Sequence, residues 1–127
     1  MNKEQNIIRD KSYDFAMGSI KLYKSLQQEK LFAISSQFIK SATSIGANVE
    51  EALAGQSLKD FTAKMSIASK EARETNYWLR LIRDTRLVNN SSIELLLNDS
   101  EELIKILTSI VKTSSSKTKN SKLSIHN

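Results

Sequence analysis

Ser41–Leu81 reads SATSIGANVEEALAGQSLKDFTAKMSIASKEARETNYWLRL, and its pattern decides the fold. The first half is built from small residues, Ser41, Ala42, Ser44, Gly46 and Ala47, which let a neighbouring backbone approach closely. At about 100° per residue, Ile34, Phe38, Ser41, Ala42, Ile45, Val49 and Ala52 share one side, which predicts a helix over about 31–54. Gly46 costs about 1 kcal/mol against alanine inside a helix, and close packing is the reason to keep it. Asn48 borders this face and reads as a satisfied buried amide in preference to a ligand contact. Gly55 supplies a stop, and Ser57 with Asp60 resembles a capping box in which Asp replaces the usual Glu. Beyond it Phe61, Met65, Ala68, Ala72, Thr75, Leu79 and Ile82 alternate spacings of four and three without a slip. That is the a/d seam of a bundle, on a helix predicted over about 58–86.

Outward from this stretch, the same periodicity continues on both sides. Upstream, Ile8, Phe15, Leu22 and Leu26 form a stripe widened by Ala16, Ile20 and Tyr23, predicting a helix over about 7–28 after a frayed start at residues 1–6. Downstream, Ser91 and Glu94 form an S-x-x-E box that opens a helix over about 92–112. Its apolar stripe is Ile93, Leu96, Leu97, Leu103, Ile104, Leu107, Ile110 and Val111. After Thr113 the chain turns to SSSKTKNSKLSIHN, with too little apolar surface to offset ordering entropy. The expectation is therefore one all-α domain over 1–113, an antiparallel up-down-up-down four-helix bundle, followed by a disordered basic tail over 114–127.

Composition agrees with that and narrows the function. The 127 residues include no cysteine and no proline, which removes thiolate chemistry and disulfides and permits long helices. The N-terminal MNKEQNIIRDK lacks an apolar core of signal-peptide length, and no apolar run approaches the roughly 20 residues that span a bilayer. A soluble cytoplasmic protein with no membrane contact is expected. The net charge of +5 favours a polyanionic partner weakly, because Lys117, Lys119 and Lys122 all sit in the tail.

No catalytic arrangement emerges, so no enzyme is expected. The single histidine, His126, is penultimate in the chain, where no general base can be held in place. Two-metal sites in bundles use Glu-x-x-His motifs, and Glu50, Glu51, Glu71 and Glu74 have no such histidine; neither metal nor cofactor is expected. Glu71 and Glu74 read instead as ion-pair partners for Lys70, Arg73 or a neighbouring chain.

The third helix divides into sectors. Opposite the seam lie Lys59, Lys70, Arg73, Tyr77 and Arg80, with Ser66 and Asp84 completing the strip. Cations with an interleaved aromatic can hold phosphates and stack a base; the alternative is a solvated face balanced by glutamates. Between strip and seam lie Ile67, Glu71, Glu74, Trp78 and Leu81, which read as a broad core edge or as a subunit or partner interface.

Three motifs carry a resemblance. They are KSATSIGANVEEA at Lys40–Ala52, S-x-K-D-F at Ser57–Phe61 and I-A-x-K-E-A-x-E-T-x-Y-W-L at Ile67–Leu79. With them the chain resembles the four helix bundle protein family encoded in ribosomal-RNA intervening sequences, whose relatives include the accessory variability proteins of diversity-generating retroelements. It departs at Lys40, where the family usually has Arg, and at Ala52–Gln56, where the commonest version has a Gly-Arg-containing stretch. Those departures draw the resemblance toward the accessory variability branch. The resemblance implies a homo-oligomer, a barrel-like pentamer, whose basic surface binds RNA or DNA and a nucleic-acid enzyme such as a reverse transcriptase. On that frame Lys59, Lys70, Arg73, Tyr77 and Arg80 are the expected nucleic-acid contacts of a non-enzymatic scaffold. The alternative is a protein–protein interaction module that docks a partner helix on Ile67, Trp78 and Leu81.

Overall fold

The computed structural model describes the backbone of residues 1–126 and the side chains of residues 1–120. Four helices account for the regular structure: α1 (Lys3–Gln28), α2 (Phe32–Ala54), α3 (Leu58–Thr85) and α4 (Ser92–His126). Each helix packs on its two neighbours in the ring α1–α2–α3–α4. Paired contacts fix the direction. Gln27 reaches Ser35 while Ser12 faces Gly46; Thr75 meets Ser41 while Lys64 meets Glu51. Asn76 bonds Ser100 and Thr62 bonds Ser114, while Gly18 lies against Leu96 and Lys11 pairs with Glu102. All four interfaces are antiparallel, so the fold is the all-α up-down-up-down bundle that the periodicity predicts.

The seam of α3 is buried from Met65 through Ala68, Ala72, Thr75 and Leu79 to Ile82, with Phe61 half-buried at its end. It packs on Phe38, Ala42, Ile45 and Val49 of α2, and the cluster is completed by the stripes of α1 and α4. Two buried hydroxyls tie α2 to α3. Thr75 Oγ1 lies 2.9 Å from Ser41 Oγ, which itself donates to the Phe38 carbonyl at 3.0 Å. Gly46 shows why the second helix is rich in small residues. A Cβ added there would lie 3.3 Å from the backbone oxygen of Ser12, so α1 and α2 touch almost backbone to backbone. Asn48 Nδ2 donates to the Ser44 carbonyl at 2.8 Å, so its amide is engaged within its own helix.

The helix ends differ in several places from the expectation. α1 starts at Lys3 because Asn2 and Gln5 form a reciprocal capping box, with Gln5 N–H donating to Asn2 Oδ1 at 2.8 Å. α1 and α3 then end without glycine. Lys30 and Arg86 adopt left-handed backbone, φ 60° and 55°. At the first of these ends Lys30 N–H donates to the Gln27 carbonyl and Leu31 N–H to that of Leu26, a Schellman closure. Lysine holds a conformation here that glycine adopts with less strain. Lys30→Gly is therefore expected to raise stability by about 0.5–1 kcal/mol, read as a higher thermal midpoint. Gly55, by contrast, is extended at φ −65°, ψ 152°, and an added Cβ would lie 2.6 Å from Asp60 Oδ2 and 3.1 Å from the Ala52 carbonyl oxygen. At the start of α4 the expected Ser91–Glu94 box gives way to Asn90, whose Oδ1 accepts from the Ser92 N–H at 2.9 Å and from its hydroxyl.

Two further expectations are corrected. Ile20 does not widen the α1 core stripe; it is 51% exposed, and Ser12 and Ser19 occupy the buried positions beside Phe15. The tail over 114–127 is not disordered where it is described: α4 runs on through it to His126. No glycine or proline follows residue 91 to stop the helix, Ser114 is buried with its hydroxyl on Thr62, and Thr118 Oγ1 caps the Ser114 carbonyl at 3.1 Å. The His126 side chain and Asn127 lie outside the described residues.

Candidate nucleic-acid interface

The continuation of α4 changes the charge map. From Leu103 to His126 it contains five lysines and no carboxylate. Lys105, Lys112 and Lys119 recur every seven residues, the period that keeps side chains on one flank of a helix. Thr108 lies on the same flank, and it receives a 3.0 Å hydrogen bond from Arg73 Nη2 of α3. That bond sets Thr108 beside α3; Lys119 lines a recess with Lys59, and Lys105 and Lys112 continue its row along the outer side of α4. The α3 side of the groove is Thr62, Ser66, Ser69, Arg73, Asn76 and Arg80, again without a carboxylate. At one end Lys59, Thr62, Ala63, Ser115, Thr118 and Lys119 line an open recess of about 390 Å³.

The expected strip residues are therefore brought together, with different roles. Lys59, Arg73 and Arg80 border the groove, while Lys70 and Tyr77 stand on the outer ridge of α3. Among the described residues none of these cations is ion-paired, and neither are Lys105, Lys112 and Lys119. Arg80 donates through Nε to Asn76 Oδ1 at 2.9 Å, and its guanidinium lies 5.7 Å from the centroid of the Tyr77 ring. Asn76 in turn donates to Ser100 at 2.9 Å. Asp84, at the far end of the strip, feels the charge of Arg80 but makes no ion pair with it. It pairs with Arg83 at 2.7 Å, and that hydrogen bond holds its carboxyl below the usual aspartate range. Lys119 falls in the stretch expected to be a disordered tail, and Lys105 and Lys112, inside the expected fourth helix, are not singled out by its wheel alone. The signal was a seven-residue lysine spacing running across the supposed boundary.

The second sector faces α2. Ile67, Glu71, Glu74, Trp78 and Leu81 repeat the four-and-three spacing of the seam one step around the helix. Trp78 and Leu81 are half-buried, Ile67 is 41% exposed, and Trp78 packs against the core with its indole N–H buried and without a partner among the described residues. Glu71 and Glu74 do not pair with Lys70 or Arg73, since Arg73 turns to α4 instead. Burial, then the charge and hydrogen bond of Glu74, push the Glu71 carboxyl above the ordinary value of 4.5. The fold thus favours protonated Glu71. This contribution is fully present below the unfolded value and is lost as pH rises through the raised folded one. Glu71→Gln should therefore raise the thermal midpoint at pH 7, with the gain vanishing as pH falls below about 4.5.

A face that periodicity missed is apolar. Tyr13, Met17 and Ile20 on α1 and Phe32 on α2 are all exposed, and small residues Ala16, Thr43, Gly46 and Ala47 line the groove beside them. Among the described residues no cluster of three or more histidine, aspartate or glutamate side chains comes together as a metal would require. No helix among them is long and apolar enough to cross a membrane.

Residues 4–109 match the family described as 23S rRNA-intervening sequence protein. The chain belongs to that family. A solved structure with 45% identity covers 86% of this chain and 98% of its own, with a TM-score of 0.80. It is a protein of unknown function from the S23 ribosomal protein family of Bacteroides thetaiotaomicron VPI-5482. Nothing among curated proteins matches the chain. The family description names an intervening sequence of ribosomal RNA and no reaction. The matched span contains Arg73, Arg80 and Lys105 and ends before Lys112, so part of the lysine row lies beyond it.

Proposed function

We propose that this protein is a non-enzymatic helical scaffold that binds RNA or DNA along the α3–α4 groove, as an accessory to a nucleic-acid enzyme such as a reverse transcriptase. The observation that carries the reading is the groove itself. Lys59 and Lys119 line its recess, Arg73 reaches across it to Thr108, and Lys105 and Lys112 extend the row along α4, none of them ion-paired among the described residues. A solvated face balanced by glutamates would interleave both signs. Here Glu71 and Glu74 of α3 lie on another flank, Asp84 stands only at the far end of the strip and pairs with Arg83, and the acidic residues of α4 precede Leu103. Phosphates supply the complementary charge at regular spacing, and the hydroxyls of Ser66, Ser69 and Ser115 add donors that position a backbone.

Fluorescence anisotropy with a labelled ribosomal-RNA fragment tests this. Five phosphate contacts predict affinity that falls with salt at a logarithmic slope of about −4 to −5. Absence of binding at about 0.05 M salt, where such contacts are strongest, would overturn the proposal.

Self-association is a second reading, favoured by the exposed Tyr13, Met17, Ile20 and Phe32 and by Ile67 on the flank of α3. A homo-oligomer, the pentamer of the resemblance included, would bury one of these faces. Light scattering on Ile20→Glu and Ile67→Glu separates them: the variant that shrinks the particle marks the interface. Two unchanged particle sizes would reject both faces.

A further inference from the structure

We infer that the nucleic acid held by this groove is double-helical and is recognised through its backbone. The inference rests on the proposed function and adds the class of ligand. Proteins that take single strands combine a basic groove with aromatic side chains on which bases stack in succession. This groove offers no such series. Tyr77 is the one aromatic residue near it, and it sits on the outer ridge of α3. One face of its ring carries the Arg80 guanidinium at 5.7 Å, and the ring meets Trp78 at 5.1 Å and 67°. A base stacking on that face would have to displace Arg80. Phe61 and Trp78 pack against the core and present no platform.

What the groove does offer is a row of cations carried at regular spacing on helical backbone. Lys105, Lys112 and Lys119 are separated by seven residues each, or about 10.5 Å of helix axis. From Lys59 to Arg80 the α3 edge spans about 31 Å, close to one turn of a duplex. A regular row on two helices matches a ligand whose phosphates recur at regular spacing. The remaining groove residues are hydroxyls and one amide, and Asn76 is already engaged by Arg80 and Ser100. Nothing in the groove reaches for a base edge.

The test is a direct comparison on the wild-type protein at 0.1 M salt. Labelled 16-base-pair duplex RNA, duplex DNA of the same sequence, and each single-stranded 16-mer are titrated by anisotropy. Duplexes hold counterions more densely than single strands, so five contacts predict about tenfold tighter binding of the duplexes. Scrambling the duplex sequence should leave the affinity within about twofold, because phosphate contacts carry no sequence information. Equal or tighter binding of a single strand would overturn this inference and leave the proposed function standing. Failure of every probe to bind would overturn both.

Discussion

The double variant Arg73→Glu/Lys112→Glu is expected to bind RNA about 100-fold more weakly than the wild type at 0.1 M salt. Each lost phosphate contact forfeits roughly eightfold at that salt, and reversal adds repulsion where attraction stood. The logarithmic salt slope should flatten by about two units in the same experiment. Stability is a separate matter. Both residues are exposed, and the Arg73–Thr108 bond is a surface contact, so helicity and thermal midpoint should stay close to wild type. The control is Lys21→Glu/Lys24→Glu on the exposed outside of α1, which changes net charge identically but leaves the groove intact. That variant should lose no more than about threefold. Equal losses in the two variants would mean that overall charge, and not the groove, attracts the RNA.

Gly46→Leu is expected to be the most damaging single substitution for folding, at about 3 kcal/mol or more. The site lies against the Ser12 backbone, with space for a Cβ only at 3.3 Å. Ser12 is itself fully buried, so α1 has to move away as a unit to admit a leucine. Gly46→Ala sets the scale. The gain in helix propensity, about 1 kcal/mol, opposes the tight contact, so alanine should sit within about 1 kcal/mol of wild type. Chemical denaturation of both variants measures the difference directly. A leucine variant as stable as the alanine one would show that the α1–α2 interface is loose.

Much of the fold was legible because it is written in periodicity. The unslipped spacing of Phe61 through Ile82 gave α3 and its buried face, and the small residues before Gly55 gave a helix packed closely on its neighbour. The helix ends were harder to read. Lys30 and Arg86 sit in a conformation usually marked by glycine, so their stops carry no compositional signature. Asn2 and Asn90 cap where a search for serine or threonine looks past them. Ile20 follows Ala16 by a four-residue step but lies well around the helix from the stripe of Ile8, Phe15, Leu22 and Leu26, and it is 51% exposed.

The candidate site divides in the same way. One strip of cations on α3 follows from its own wheel, since all its members lie on one helix. Of the row on α4, Lys119 requires knowing that the helix continues past Thr113, and the approach of α4 to Arg73 is a tertiary contact that a single sequence does not encode locally. Tyr77 marks the limit of the reading from residue types. An aromatic among cations suggests stacking on a base, and only coordinates place Arg80 over its ring.

The central claim is that the α3–α4 groove takes the nucleic acid, and amide chemical-shift mapping on isotope-labelled protein tests it most directly. On titration with duplex RNA, the account predicts shifts concentrated at residues 59–80 and 105–119, with the exposed apolar face around Met17, Ile20 and Phe32 unchanged. Shifts confined to that α1–α2 face, with Arg73, Thr108 and Lys112 unmoved, would contradict it.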